Sequence, residues 1–356
     1  MRIDYFDTHP IPLESLLENP IDIAAAVALL DLPASAPPPQ SSTEEPRTDD
    51  DPVWASARKI YEQDLDAVSR YRPGYRVWHH VFSVPNGRLA FGNAADGSLL
   101  ATFPLDGDWT GAAHWADRTL ASLLDGRRLE GRLSEIRDET ASLLTESAGP
   151  VVYHETRGSF IEVGADKYGG FLAEWGAIFE RFGIPAEIGL AQALVESGLR
   201  GRIRSPAYAV GFCHWLPRNW DRLERLSPYV IEAYNQTTQA PYCAAHLAIL
   251  TAKYGSLIPA LSEHHAGGIN VARALHNGEF AGGDEVRDRY FLGAELTLLI
   301  RRIRLPGYRE VSGGYGPRSF RYAEMIFGNS LKIAEIEAAM PQQPIFAMRP
   351  RRAVSL

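Results

Sequence analysis

Cysteine is scarce in this chain: Cys213 and Cys243 are the only two among 356 residues. Two cysteines cannot form the dense disulfide framework that stabilises small secreted domains. Two alternatives stay open for them, one disulfide formed in an oxidising compartment or two buried free thiols.

Long hydrophobic runs are also missing. The longest uninterrupted apolar run covers residues 23–30, which is too short to cross a membrane. The residues before it carry five acidic side chains against Arg2 alone, the wrong charge for the start of a signal peptide. We therefore expect neither a membrane span nor a clear secretory signal.

Positive charge is low in the first part of the chain. Residues 1–150 hold 13 basic and 24 acidic side chains, a net charge of −11, whereas residues 151–356 hold 23 and 20, a net charge of +3. The acidic first part argues against nucleic-acid binding there. The second part, rich in arginine, is compatible with an anionic polymer.

Composition changes along the chain predict five parts. Residues 33–52 are rich in Pro, Ser, Thr and acidic side chains, which favours a disordered linker. The other predicted parts are an N-terminal helical segment at 1–32, an α+β accessory domain at 53–150, a mostly helical domain at 151–340 and a tail at 341–356.

The accessory domain is predicted to contain a helix at 53–72, an antiparallel β-meander and a helix at 110–146. The meander strands are expected near 76–84, 88–92 and 98–103, with turns at Asn86-Gly87 and Asp96-Gly97. Its large aromatics, Trp78 and Phe82, fit either a hydrophobic core or a sugar-stacking face.

The domain at 151–340 is predicted to open with an extended segment at 151–163 and to be helical after it. His154 and Glu155 lack the second histidine of a zinc-protease helix, which argues against a metal there. The expected helices lie at 165–182, 186–195, 218–234, 242–254, 257–264, 269–277, 284–303 and 319–339, and the predicted fold class is α+β, mostly α.

Glu196 is the only carboxylate between Glu187 and Asp221. Residues 186–195 predict a buried helix, and Ser197-Gly198 supplies its C-terminal cap. A carboxylate in the last turn lies at the negative end of the helix dipole among apolar neighbours, and both effects raise its pKa. A protonated carboxyl is suited to general acid catalysis.

The residues after Glu196 extend this pattern. The helix ends in Glu-Ser-Gly, and the following segment keeps Ser205, Pro206, Ala209, Gly211, Phe212 and Pro217 in register. This arrangement resembles the catalytic domain of the lytic transglycosylases (SLT domain, lysozyme-like superfamily), in which Glu-Ser-Gly precedes a segment close to Ser-Pro-x-Gly-Ala-x-Gly-Leu-Met-Gln-x-x-Pro. The resemblance covers about residues 165–335 and implies a lysozyme-like helical domain.

The resemblance also implies the residues of the site, with Glu196 as the catalytic residue. Five positions depart from the family pattern, and four of them form two pairs: Cys213-His214 stand at Met-Gln, and His264-His265 replace Tyr-Asn in an Ala-Tyr-Asn-Ala-Gly type segment. Tyr208 stands where glycine is usual, and Tyr322 matches a tyrosine of the last helix. The expected substrate-binding residues are Ser205, Tyr208, Gly211, His214, His264, His265 and Tyr322.

The activity implied is cleavage of the MurNAc-β-1,4-GlcNAc bond of peptidoglycan, without cofactor or metal. Glu196 would protonate the bridging oxygen and then take a proton from the C6 hydroxyl of the same MurNAc, which closes a 1,6-anhydro ring. The alternatives are a lysozyme-type hydrolase using Asp221 or Glu263 as a second carboxylate, and a non-catalytic peptidoglycan-binding or structural module. A metal site is a further alternative, built from Cys213, His214, Glu263, His264 and His265.

The expected partners are peptidoglycan strands, with a protein of a secretion apparatus or phage particle as a partner of the N-terminal region. Action in the periplasm or cell wall is expected. With no clear signal peptide, the protein would be exported by another route or be carried on a virion.

Overall fold

The computed structural model describes residues 52–303 and 317–337, apart from residues 107, 108, 110, 126, 128, 130, 207, 227–230 and 233. The predicted segment 1–32, the linker up to residue 51 and the tail 341–356 lie outside the described residues.

The described chain is mostly helical, with one small antiparallel sheet, as predicted. Its longer helices are α1 (Pro52–Tyr71), α3 (Leu133–Ala148), α4 (Phe160–Arg181), α5 (Ala186–Ser197), α6 (Pro217–Leu226), α7 (Gln236–Tyr254), α8 (Leu257–Ala266), α9 (Gly268–Phe280), α10 (Val286–Ile303) and α12 (Tyr322–Glu337). Two helices of one turn are α2 (His80–Ser83) and α11 (Pro317–Phe320), and 3-10 helices cover Tyr75–His79 and Arg118–Leu124. The strands are β1 (Arg88–Asn93), β2 (Leu99–Pro104), β3 (His114–Trp115) and β4 (Val151–Glu155).

The sheet has the order β3-β2-β1-β4, with antiparallel neighbours throughout. The predicted Asp96-Gly97 turn is confirmed between β1 and β2: Gly97 has a φ of 80°, and its N–H donates to the Asn93 carbonyl over 2.9 Å. The second neighbour of β1 is β4, in the register Phe91 to Tyr153. The extended segment predicted at 151–163 is therefore confirmed for Val151–Glu155, whereas the chain is already helical from Phe160.

Two predictions for the accessory region are wrong. Residues 76–84 form the 3-10 helix and α2 instead of a strand, because Val77, Trp78, Val81 and Phe82 recur at helical spacing and are all buried. Since Trp78 and Phe82 are buried, they do not form an exposed sugar-stacking face. The helix predicted at 110–146 is interrupted. A 3-10 helix covers Arg118–Leu124 and α3 begins at Leu133, and Gly131 between them has a φ of 126°, which an α-helix does not allow.

Two hydrophobic clusters form the core. The larger cluster joins residues from Tyr61 to Phe82 with residues from Ile161 to Ile333, and the smaller one lies between the sheet, the second 3-10 helix and α3. Residues of the predicted accessory domain thus contribute to the core of the predicted catalytic domain. The division at residue 150 stays a prediction.

Helix α5 lies at the centre of the larger cluster and packs against α4 and α12. Its residues 186–195 are all buried. Gly189 allows close approach to α4, because a Cβ there would clash with the Phe179 ring.

Asp64 of α1 ties the distant helices α8 and α10 together. Its carboxylate is fully buried and accepts hydrogen bonds from the Ser256 hydroxyl at 2.7 Å, the Leu257 N–H at 2.6 Å and Arg287 Nε at 2.6 Å. Ser256 is the N-cap of α8, so this network fixes the start of the helix that ends in His264 and His265.

Candidate active site

Glu196 occupies the last turn of α5, as predicted. The helix ends at Ser197, and Gly198 follows in the left-handed conformation, with a φ of 60°. The Glu196 side chain is 11% exposed, whereas the preceding residues of the helix are fully inside the core. The Glu196 side chain is therefore mostly buried, and only a small part of it is in contact with solvent.

Four side chains from three other parts of the chain converge on this carboxylate. The Tyr322 hydroxyl donates to Oε1 at 2.6 Å, and His214 Nδ1 lies 3.0 Å from Oε2. His264 Nε2 and His265 Nδ1 lie 3.8 and 3.9 Å from Oε1. All four were expected from the sequence to line a binding site, and the structure places them around one carboxyl group.

A tight turn points His214 at Glu196. His214 has a φ of 55°, a left-handed conformation that costs of order 1 kcal/mol for a residue with a side chain. Its N–H donates to the Gly211 carbonyl at 3.2 Å, and Val210 and Trp215 form an antiparallel bridge across the turn. Its Nε2 is buried and has no hydrogen-bond partner among the described residues.

A disulfide holds the same turn against α7. Cys213 and Cys243 are bonded to each other, which decides between the two alternatives that the sequence left open. The Phe212 N–H also donates to Gln236 Oε1 at 2.7 Å. The turn is thus fixed on both sides of its centre.

Glu263 anchors the end of α8 that carries the two histidines. Its carboxylate is completely buried, accepts from Lys253 Nζ at 2.9 and 3.1 Å, and contacts the Tyr254 hydroxyl. The His265 ring stacks on the Tyr322 ring, with 4.4 Å between centroids and 8° between planes. These contacts fix both imidazoles relative to Glu196.

The predicted rise in the pKa of Glu196 is wrong. Burial does raise the pKa of this carboxyl, but His214, His265 and His264 together lower it well below its usual range. The pKa of Tyr322 is raised well above its ordinary value by burial and by the Glu196 charge, so its hydroxyl stays protonated and donates. Burial lowers the pKa of His264 to about 4. Glu196 is therefore an ionised carboxylate at neutral pH.

The alternative metal site is not assembled. Cys213 is consumed by the disulfide, and Glu263 is bound to Lys253. In the part of the chain that the structure describes, no group of three or more His, Cys, Asp or Glu side chains has the arrangement of a metal site. The pair His154 and Glu155 is separated as well, since His154 stacks on Trp78 and Glu155 pairs with Arg137 at 3.0 Å.

Ser205, Tyr208 and Gly211 lie in the loop between α5 and α6. The Ser205 hydroxyl accepts from the Ala209 N–H at 2.9 Å and so shapes the loop. Tyr208 has a φ of 68° and is 57% exposed, with the Arg204 guanidinium 4.2 Å from its ring centroid. Gly211 has a φ of 79° and packs against Gln239, so it forms the turn that presents His214.

His246 is a residue of this region that sequence reasoning missed. It is buried on α7, its ring centroid lies 5.7 Å from that of His264, and neither ring nitrogen has a hydrogen-bond partner among the described residues. Trp215 packs edge-on against it at 5.1 Å. His246 was missed because it lies in an apolar stretch of α7, where sequence alone gives no reason to separate it from the core.

No protein-family model matches the chain, and no curated protein matches it. No helix among the described residues is both long and apolar enough to traverse a membrane.

Proposed function

We propose that this protein is a lytic transglycosylase that cleaves the MurNAc-β-1,4-GlcNAc bond of peptidoglycan and leaves 1,6-anhydroMurNAc ends. The observation that carries the proposal is one ionised carboxylate, Glu196, surrounded by Tyr322 and three imidazoles at the end of a buried helix. The Glu-Ser-Gly helix end and the segment after it resemble this family. The proposal includes a lysozyme-like arrangement of the helices around α5.

A single carboxylate favours a lyase over a hydrolase. Most glycosidases use two carboxyl groups, one as acid and the other as nucleophile or base. Glu263, one candidate for the second, is fully buried and neutralised by Lys253. The other, Asp221, is exposed on α6. One carboxylate suffices if the substrate supplies its own nucleophile, which is the C6 hydroxyl of MurNAc.

The reaction needs one proton donor and one proton acceptor at the glycosidic bond, and Glu196 serves as both in turn. The carboxylate first takes up a proton, and the protonated Glu196 gives it to the bridging oxygen, which leaves as the 4-hydroxyl of GlcNAc when its bond to C1 breaks. The carboxylate then accepts the proton of the C6 hydroxyl, whose oxygen bonds to C1. Glu196 is thereby protonated again, and the step consumes no water.

Neighbouring groups would hold the glycan. The His265 imidazole, 35% exposed, can hydrogen-bond to a sugar hydroxyl or an acetamido carbonyl, and the exposed Tyr208 ring offers a face on which a sugar can stack. Action in the periplasm or cell wall belongs to the same proposal, and the disulfide between Cys213 and Cys243 supports it because disulfides persist in oxidising compartments. A secretion apparatus or phage particle remains the proposed partner of the N-terminal region.

Mass spectrometry of muropeptides released from purified sacculi tests the proposal. Wild-type protein should release fragments with anhydro ends, Glu196→Gln should release none, and Asp221→Asn should act like wild type. Fragments with reducing MurNAc ends, lost in Asp221→Asn, would show the hydrolase instead. Binding to sacculi without release by either wild type or Glu196→Gln would show the non-catalytic module.

A further inference from the structure

The segment that follows Glu196 in the chain carries only positive charge. Residues 197–220 contain no aspartate or glutamate, in a chain whose net charge is −8, and they contain four arginines: Arg200, Arg202, Arg204 and Arg218. All four are exposed, and none forms an ion pair with a carboxylate among the described residues. The loop between α5 and α6 therefore presents positive charge to solvent without an acidic side chain to neutralise it.

Tyr208 lies in this loop in a strained backbone conformation. Its φ of 68° is in the left-handed region, which glycine adopts without strain, and glycine is the usual residue at this position of the segment that the loop resembles. Packing does not compensate for the strain, because Tyr208 is 57% exposed and belongs to neither hydrophobic cluster. An exposed aromatic ring on a backbone suited to glycine points to a role in binding.

Arg204 is held against Tyr208 by the backbone of the loop. Arg204 and Val210 form an antiparallel bridge. Between them, the Ser205 N–H donates to the Ala209 carbonyl at 3.0 Å, and the Tyr208 N–H donates to the Ser205 carbonyl at 2.9 Å. The Arg204 guanidinium carbon lies 4.2 Å from the centroid of the Tyr208 ring, a cation–π contact. The stacked guanidinium keeps its N–H groups for a planar anion.

The same backbone contacts connect Arg204 with the turn that presents His214. Val210 forms one antiparallel bridge to Arg204 and a second to Trp215, the residue after His214. Since neighbouring strands are about 4.8 Å apart, the backbones of Arg204 and Trp215 are separated by about 10 Å. His214 contacts the Glu196 carboxylate. A ligand group bound by Arg204 therefore lies beside the candidate active site and outside its reacting centre.

We propose that Tyr208 and Arg204 form a subsite for the anionic peptide stem of peptidoglycan. The inference rests on the proposed lyase function and adds a substrate requirement to it. The stem is attached to MurNAc through the lactyl group and carries free carboxylates, so these charges lie close to a sugar that stacks on Tyr208. The Arg204 guanidinium binds a stem carboxylate through two parallel N–H···O bonds. Glycan with charged stems is thus the preferred substrate.

Removing the stem charges while keeping the stems tests the subsite. Carbodiimide and ammonia convert the carboxyl groups of sacculi to amides, and wild-type kcat/KM should then fall about tenfold, the loss expected for a charge-assisted hydrogen bond. Arg204→Gln should lower kcat/KM on untreated sacculi about tenfold and bring the ratio between the two substrates to about one. Arg204→Lys keeps the charge without the planar fork, and Tyr208→Gly removes the stacked ring, so both should give intermediate ratios.

The assay measures release of anhydro ends from untreated and amidated sacculi that are free of teichoic acid, so that no phosphate competes with the stem carboxylates. Arg118→Gln, exposed on the second 3-10 helix, is the matched control and should keep the wild-type ratio. Urea unfolding of each variant establishes that it is folded.

Equal wild-type rates on the two substrates would overturn the inference and leave the proposed function intact, and so would a tenfold ratio that persists in Arg204→Gln. Absence of anhydro ends from both substrates with the wild-type protein would overturn the proposed function, and the inference with it.

Discussion

The buried carboxylate of Asp64 gives the most direct test of how the fold supports the candidate site. Replacing Asp64 by Ala removes the acceptor of three hydrogen bonds, from the Ser256 hydroxyl, the Leu257 N–H and Arg287 Nε. It also leaves the guanidinium of Arg287, whose side chain is mostly buried, without its counter-ion.

The size of the effect follows from the lost charge pair. A hydrogen bond to a charged group contributes about 1.5–3 kcal/mol, and breaking a buried ion pair by removing one partner costs about 3–5 kcal/mol. The three bonds share one carboxylate and are not additive, so we expect the free energy of unfolding to fall by about 3–5 kcal/mol for Asp64→Ala. Asp64→Asn keeps one acceptor oxygen and should lose less.

Urea unfolding followed by tryptophan fluorescence measures the change. With an m-value of about 3 kcal/mol/M, the expected loss lowers the midpoint by about 1–1.7 M. Asp66→Ala, on the same helix but exposed, is the matched control and should stay within about 0.5 kcal/mol of wild type. Equal and small shifts for Asp64→Ala and Asp66→Ala would refute the structural role assigned to Asp64.

Three further predictions concern the site and the pH range of the protein. Tyr322→Phe removes the 2.6 Å hydrogen bond to Glu196, which should raise the pKa of the carboxyl and slow release of anhydro ends by about 10- to 100-fold, corresponding to about 1.5–3 kcal/mol; unchanged rates would contradict this role. Reduction of the disulfide between Cys213 and Cys243, which are 30 residues apart, should lower the free energy of unfolding by about 3–4 kcal/mol, as measured by urea unfolding with and without reductant. Burial, followed by the neighbouring His79, lowers the pKa of His80 to about 4. The stability contributed by a neutral His80 is therefore fully present above about pH 6.5 and lost as the pH falls toward 4, by up to about 3 kcal/mol. Between pH 6.5 and pH 4, the urea midpoint of wild type should fall more steeply than that of His80→Leu.

Local signals in the sequence predicted the helix around the candidate site well. The end of α5 could be placed because Gly198 adopts the left-handed conformation that a helix C-terminus favours. The Asp96-Gly97 turn was found for the same reason, since the conformation of a tight turn is decided by the residues within it. Predictions of this kind depend only on neighbours in the chain.

Contacts between distant residues could not be read from the sequence. The segment 76–84 was predicted as a strand because its large side chains also fit an alternating pattern. In the structure the segment is helical, because a helix places Val77 and Val81 on one face, where both are buried. The partner of β1 on its far side, β4, lies about 60 residues further along the chain, and no turn links the two strands. Only the resemblance named the side chains that meet around Glu196.

The charge state of Glu196 shows why such distant contacts decide the chemistry. The helix dipole, which the sequence reveals, destabilises a carboxylate at a helix C-terminus by about 0.3–1 kcal/mol. A hydrogen bond donated to a charged group contributes about 1.5–3 kcal/mol. Glu196 has two such partners, His214 at 3.0 Å and Tyr322 at 2.6 Å, which come from positions 18 and 126 residues away. These contacts between distant residues outweigh the effect of the helix dipole.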